Sequence, residues 1–270
     1  MQTADRLFAG SIPDIYDRFL VPLIFQSYAL DLAERIAGAA PKDVLETAAG
    51  TGVLTRALAA KLPAGTRIVA TDLNQPMLNR AAGRQDDASR VVWQQSDALA
   101  LPFADDTFDI VACQFGVMFF PDKVQGYREA RRLLRPGGRF LFNVWDRISE
   151  NVFADVVTEA LAKRYPFDPP AFMARTPHGH HDLGKIRQEL VRAGFASISA
   201  EAVDGTSRAA SAREVAVAYC QGTPLRNEIE TRDPTGLETA TQAAEEALAR
   251  HFGTGAIEGR IRAYVLTAIP

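Results

Sequence analysis

The sequence predicts an α/β fold of the doubly wound kind, a parallel sheet covered by helices on both faces. Three observations predict it. Short apolar runs alternate with helical patterns from about residue 43 to 146, the order that yields such a sheet. A glycine-rich turn, Ala48-Ala49-Gly50-Thr51-Gly52, leaves the first run and opens the first helical pattern, as expected where a backbone bends tightly and admits a ligand closely. The strand runs are apolar through their middles and end in polar or loop-forming residues, and the C-terminal ends of such strands are where ligands bind.

The strand candidates in this stretch are residues 44–48, 67–73, 91–97, 108–115 and 139–146. Between them, residues 53–62, 75–83 and 122–134 carry apolar side chains three and four apart, as a surface helix requires. Ahead of the first strand, residues 12–37 are helical in pattern, and a lid is the economical use for their apolar faces. After the fifth strand come a helix at 151–165, a loop rich in Pro, Gly and His at 166–181, and a helix at 183–193 closed by Gly194 at its C′ position. Residues 198–208 and 260–269 alternate as two further strands, which makes seven. The intervening 209–259 is helical, with breaks at Gly222-Thr223-Pro224 and Asp233-Pro234-Thr235-Gly236. About fifty residues is too long for a hairpin loop. The expected organisation is therefore one domain, 1–270, with a helical lid at 1–40, a core at 41–208 and 260–270, and a helical cap inserted at 209–259.

Size and composition bound the function. A chain of 270 residues with 47% hydrophobic and 23% charged residues has ample apolar material for one main core. A net charge of −3 and a pI near 5.9 argue against a general nucleic-acid binder, which needs a basic face. The densest basic stretch, Arg128, Arg131, Arg132 and Arg135, reads as a helix C-terminus complementing its own dipole. Two cysteines, Cys113 and Cys220, make no disulfide framework and have no metal-ligand spacing. With no apolar signal region in residues 1–10 and no run of the ~18 to 20 apolar residues that span a bilayer, a soluble, cytoplasmic protein without membrane or nucleic-acid partner is expected. Nothing in the sequence sets an oligomeric state.

The strongest local signal is Glu46-Thr47-Ala48-Ala49-Gly50-Thr51-Gly52. Such a turn at a helix N-terminus often holds a dinucleotide pyrophosphate. Here the pattern speaks against it, because Thr55 stands where the dinucleotide fingerprint needs its third glycine. Glu46 would also repel a pyrophosphate, and suits instead a ligand bearing an ammonium group. Asp72 closes the second strand, where an acid accepts hydrogen bonds from ribose hydroxyls. Ser96-Asp97-Ala98 ends the third; an acid and a neighbouring N–H there read an adenine amino edge, the alternative for Asp97 being a plain helix or turn cap.

In this order and spacing the pieces resemble the class I S-adenosylmethionine-dependent methyltransferases, especially the small-molecule branch with the ubiquinone and menaquinone C-methyltransferases. The likeness rests on Glu46 to Gly52, Asp72-Leu73-Asn74-Gln75-Pro76-Met77-Leu78, Ser96-Asp97-Ala98 with Leu101-Pro102-Phe103, Phe108-Asp109-Ile110-Val111, and Arg132-Leu133-Leu134-Arg135-Pro136-Gly137-Gly138. It implies a Rossmann-like methyltransferase sheet with S-adenosylmethionine as cofactor and S-adenosylhomocysteine as product. Gly50 and Gly52, with Ala48 and Thr51 of the same turn, would lie against the methionine part, and Glu46 would anchor its amino group. Asp72 would hold the ribose, Leu73 and Met77 would pack on the adenine, and Ser96, Asp97 and Ala98 would meet its edge. Gln114 and Phe115 would sit near the reacting methyl, and Tyr16 would fold over the cofactor. For Met77, Phe115 and Tyr16 the alternative is ordinary core packing.

Two departures matter. Gln114-Phe115-Gly116-Val117-Met118-Phe119-Phe120 replaces the usual small or His-containing segment, which implies an apolar pocket for a small-molecule acceptor. The Asn or Asp-Pro-Pro-aromatic motif with which amino-methylating enzymes grip a flipped base is missing there; Asp168-Pro169-Pro170-Ala171 reads as a loop. A base is needed only if the acceptor must lose a proton early, and the candidates are His181 first, then His180, in Pro177-His178-Gly179-His180-His181-Asp182. Asp182 caps the next helix, and no companion ligand set suggests a metal. The competing functions are a nicotinamide-dependent oxidoreductase, disfavoured by Thr55 and Glu46, and a non-catalytic S-adenosylmethionine sensor, disfavoured by the lid and cap.

Overall fold

The computed structural model describes Asp5, Phe8 and residues 10–85 and 90–270. In chain order the elements begin with α1 (Ile12–Ile15), a π-helical stretch (Tyr16–Phe25), α2 (Gln26–Ala37), β1 (Asp43–Glu46), α3 (Val53–Lys61), β2 (Arg67–Asp72), α4 (Gln75–Ala82) and β3 (Val91–Gln95). Then come β4 (Phe108–Gln114), α5 (Lys123–Leu133), β5 (Leu134–Trp145), α6 (Val152–Arg164), α7 (Phe172–Arg175), α8 (Leu183–Arg192) and β6 (Ser197–Ala209). Helices α9 (Ala212–Gln221), α10 (Leu225–Arg232) and α11 (Leu237–Phe252) precede β7 (Ile257–Ile269).

The seven strands form one sheet in the order β3-β2-β1-β4-β5-β7-β6. β1 pairs in parallel with β2 and β4, β2 with β3, and β4 with β5. The Ala196 N–H donates to the Ile269 carbonyl while Arg208 pairs with Glu258, so β6 and β7 run antiparallel. The strand order reverses between β1 and β4, and in open α/β sheets that switch point opens a crevice beyond the strands' C-terminal ends.

Two compact units divide the chain. One comprises Gln26–Val144, His180–Val203 and Ala263–Pro270. Its main core packs Ala29, Leu32 and Ile36 of α2 and Leu54 and Leu58 of α3 on Val44, Ile68, Ala70, Ile110, Ala112 and Leu141 of the strands. Because successive strand side chains alternate faces, the strand residues of this core fix what lies above them. Two residues on from Val44, Ala70, Ala112 and Leu141 stand Glu46, Asp72, Gln114 and Asn143. The opposite face is aromatic: Tyr127 of α5 lies 6.0 and 5.6 Å, centroid to centroid, from Phe140 and Phe142, and Phe195 stacks on Phe140.

β5 starts at Leu134 and not at 139 as the pattern suggests. Phe108 pairs with Leu134 but Ile110 pairs with Arg139, so β5 carries a bulge at Pro136-Gly137-Gly138, with Gly137 at φ +83°. The arginines around it hold this end of the sheet. Arg132 binds Glu129, Asp105 and the carbonyls of Leu101 and Phe103, Arg135 bridges Asp43 and Asp109, and the Arg131 Nε donates to Gly194 O.

The other unit comprises the described residues of Met1–Phe25 with Trp145–Gly179 and Asp204–Arg262. The π-helical stretch carries Pro22, which lacks an N–H and so cannot join a regular α-helical ladder. Arg175 ties distant segments together, its Nη2 2.5 Å from both Asp5 Oδ1 and Glu228 Oε1, and the Thr176 hydroxyl donates to Asp5 at 2.6 Å. Asp168 in the proline loop accepts from Arg232. Among the described residues no helix is long and apolar enough to cross a membrane.

Candidate functional site

The turn after β1 is built from left-handed backbone. Ala48, Gly50 and Gly52 have φ of +53°, +57° and +77°. The two glycines serve different ends. A Cβ on Gly50 would meet only Met77 Cε at 3.8 Å, whereas one on Gly52 would fall 2.8 Å from the Trp93 ring and 3.0 Å from Ala81 Cβ. Gly50 thus leaves space for a ligand, and Gly52 lets the start of α3 pack closely. Ala48 and Phe115, the latter at φ +50°, are L-residues in a conformation that costs of order 1–3 kcal/mol and is concentrated at functional sites.

Glu46 is 1% exposed. Its Oε2 accepts from the Thr55 hydroxyl at 2.5 Å, so the residue that breaks the dinucleotide fingerprint is also the one that orients the acid. Burial pushes the Glu46 carboxyl up to about 8, against the pull of that hydrogen bond and of Arg56. Register places Ala70 and Ala112 on either side of Glu46. These small side chains flank the acid, and Asp72 and Gln114 follow two residues further along β2 and β4. Asp72 accepts from the Gly50 N–H at 2.8 Å and the Asn74 N–H at 2.7 Å. Burial raises its carboxyl, and these bonds oppose the rise.

Beside Asp72, Leu73 is 42% exposed while Met77 is buried beneath the Gly50 turn. The Ser96 N–H donates to Asp72 O, which brings the segment after β3 to the end of β2. The exposed Asp97 accepts from the Leu99 N–H at 3.0 Å and so caps its own turn; Ala98 lies in that turn. Gln114 and Phe115 are buried, and Tyr28 of α2 meets the Phe115 ring edge-on at 5.5 Å. One unit therefore brings together Glu46, Ala48, Gly50, Thr51, Gly52, Asp72, Leu73, Met77, Ser96, Asp97, Ala98, Gln114 and Phe115. Tyr16 belongs to the other unit, where it stacks on Phe25 at 5.2 Å.

Two of the three histidines between residues 178 and 181, His178 and His180, are buried. His180 is buried, with Nε2 3.1 Å from the Tyr127 hydroxyl and 3.5 Å from Glu189. Burial and the neighbouring Lys123 and Lys185 push its imidazole down to about 3. Since Tyr127 packs on Phe140 and Phe142, His180 stands on the face of the sheet opposite to Glu46, Asp72 and Gln114. The structure does not bring it to them. His181 is half-buried next to Asp182, whose side chain caps α8 as expected. His178 lies in the other unit, buried, 2.9 Å from the Asp146 carbonyl. Among the described residues no cluster of three acidic, Cys or His side chains has metal-binding geometry.

Sequence reasoning passed over three residues. Thr55 was read only as a missing glycine. Tyr28 was one aromatic in a helical stretch. Asn143 is 0% exposed, and neither amide atom has a hydrogen-bond partner among the described residues. Its signal was a lone polar residue inside Phe140-Leu141-Phe142-Asn143-Val144-Trp145.

Comparison with known proteins fits this geometry. Residues 45–142 match the methyltransferase domain family. The demethylmenaquinone methyltransferase of Clavibacter sepedonicus is 30% identical over 182 residues, 64% of this chain and 73% of that protein. The chain belongs to the S-adenosylmethionine-dependent methyltransferases. The demethylmenaquinone methyltransferase of Mycobacterium sp. strain KMS is 39% identical over 157 residues, and the match spans 58% of this chain and 63%, less than two thirds, of that relative's length. The fold is shared with the YcgJ protein of Bacillus subtilis, at a TM-score of 0.57 and 21% identity over 90% of this chain and 98% of that one.

Proposed function

We propose that the protein moves the methyl group of S-adenosylmethionine onto a small-molecule acceptor by in-line displacement. The observation that carries this reading is the buried Glu46 at the end of β1 between Ala70 and Ala112, next to a Gly50 turn whose N–H donates to Asp72. That donor set fits an amino acid joined to a ribose. Glu46 would hold the ammonium group, Gly50 and Gly52 would let the methionine chain approach the backbone, and Asp72 would take the ribose hydroxyls. Leu73 and Met77 would pack on the adenine, with Asp97 and Ala98 at its edge.

The cofactor supplies an activated methyl on a cationic sulfur. The acceptor atom bonds to the methyl carbon, the carbon–sulfur pair returns to sulfur, and a proton leaves the acceptor. Because charge on sulfur is neutralised, a dry, apolar site does not oppose the step, and the chain's task is to align the partners and exclude water. Gln114, Phe115 and Tyr28 are placed for that task. His180, neutral and turned to the other face, is not part of this account, and His181 remains the candidate base. The relatives' names point to a reduced naphthoquinone, a hydroxyarene methylated on carbon, as the acceptor class.

The test is production of S-adenosylhomocysteine and of labelled methyl product from 1,4-naphthalenediol, with calorimetry of S-adenosylhomocysteine and NAD alongside. Acceptor-dependent turnover and binding of the sulfur ligand alone are expected. Tight NAD binding with no heat from S-adenosylhomocysteine overturns the proposal.

A further inference from the structure

The site described so far follows the sheet. Asp97 lies past β3, Asp72 ends β2, Glu46 ends β1 and Gln114 ends β4, in the spatial order of the strands. The next strand along is β5, and Asn143 is paired in register with Gln114. It stands on the same face as Gln114, two residues above Leu141 of the shared core. Adjacent strands are about 4.8 Å apart, so Asn143 lies roughly 10 Å across the sheet from the strand that carries Glu46.

Asn143 is fully buried, and neither its Oδ1 nor its Nδ2 is hydrogen-bonded within the described protein. Buried side-chain amides are almost always paired, and an exception calls for an explanation. The surrounding strand, with Phe142 and Val144 also fully buried, would accept a leucine of similar size without that penalty. An amide kept at this position implies a polar group that arrives with a ligand.

The ligand's identity follows from the order of the strands. With the ribose acid on β2 and the ammonium acid on β1, the cofactor occupies the β3 side of Gln114, and Asn143 falls beyond its methionine end. We infer that Asn143 is an acceptor-binding residue whose amide hydrogen-bonds a hydroxyl adjacent to the atom that is methylated. A hydroxyl suits it because it accepts from Nδ2 and donates to Oδ1, whereas an ether only accepts. A site built to hydrogen-bond a hydroxyl rejects the analogue lacking it, because its own polar groups are then stranded. The inference rests on the methyltransferase reading with a hydroxyarene acceptor.

The test uses the full chain loaded with S-adenosylhomocysteine, titrated anaerobically by calorimetry with 1,4-naphthalenediol and with 1,4-dimethoxynaphthalene. The unaltered protein is expected to bind the diol at least about tenfold more tightly than the diether. Asn143→Leu is expected to bind both alike, to keep its affinity for S-adenosylhomocysteine within about twofold, and to melt at the same or a higher temperature, as replacement of an unpaired buried amide should. Asn143→Ala gives the same discrimination readout should the leucine misfit. Unchanged preference for the diol in both variants overturns the role of Asn143 and leaves the acceptor reading standing. Failure of the unaltered protein to bind the diol overturns both. Loss of S-adenosylhomocysteine affinity assigns the amide to the cofactor and overturns the inference.

Discussion

Glu46 sits in the free protein with its carboxyl raised to about 8 by burial. A carboxyl raised above its usual value near 4.5 contributes stability that is present below that value and lost as pH rises toward 8. Bringing an ammonium group to it favours the ionised form. Binding of S-adenosylhomocysteine between pH 6 and 8 is therefore expected to release a proton, visible as a dependence of the binding heat on the buffer's ionisation enthalpy, and to tighten as pH rises to 8. Glu46→Gln should abolish the proton release while keeping the fold; a variant that still releases the proton would place the ammonium elsewhere. Asp72→Ala is expected to weaken the cofactor by about 1 to 3 kcal/mol, through the lost ribose contact and through the freed Gly50 N–H that donates to Asp72. Unchanged affinity by calorimetry would contradict this.

Elements were more legible than their edges. The five parallel strands and three crossover helices followed from periodicity because β1, β2, β4 and β5 are largely buried on both faces and the helices on one, with only the edge strand β3 half-exposed. The early start of β5 did not, since Pro136-Gly137-Gly138 reads as loop and is a bulge only by its pairing. The site acids were legible from their places at strand ends. Thr55, Tyr28 and Asn143 were not, because what marks them is tertiary: Thr55 reaches Glu46 from α3, Tyr28 reaches Phe115 from α2, and Asn143 is buried with its amide unpaired. The same holds for His180, whose burial depends on Tyr127, 53 positions away. At this scale, Gly52→Ala is expected to cost about 1–3 kcal/mol, since its Cβ would strike Trp93 and Ala81 at φ +77°. Denaturant unfolding checks this, and Gly50→Ala, which meets no such neighbour, should lose more cofactor affinity than packing.

In the whole molecule, the unit containing the N-terminal segment is held by Arg175 between two buried acids, Asp5 and Glu228. Removing one partner of such a group strands the others, at a cost of about 3–5 kcal/mol. Arg175→Ala should lower the unfolding free energy measured in urea by about that amount, whereas an unaltered midpoint would show the triad to be dispensable. The bulge in β5 has a consequence for how the gene can change length. Between Phe108 and Ile110, β4 advances by two residues while β5 advances by five, from Leu134 to Arg139. Codons gained or lost at Pro136–Gly138 can be absorbed in that slack, and β5 keeps its register. A single codon inserted after Arg139 has no slack to enter; it turns Phe142 toward the cofactor and Asn143 toward Tyr127, so insertions and deletions fixed across relatives should crowd into the bulge and spare the six positions that follow it.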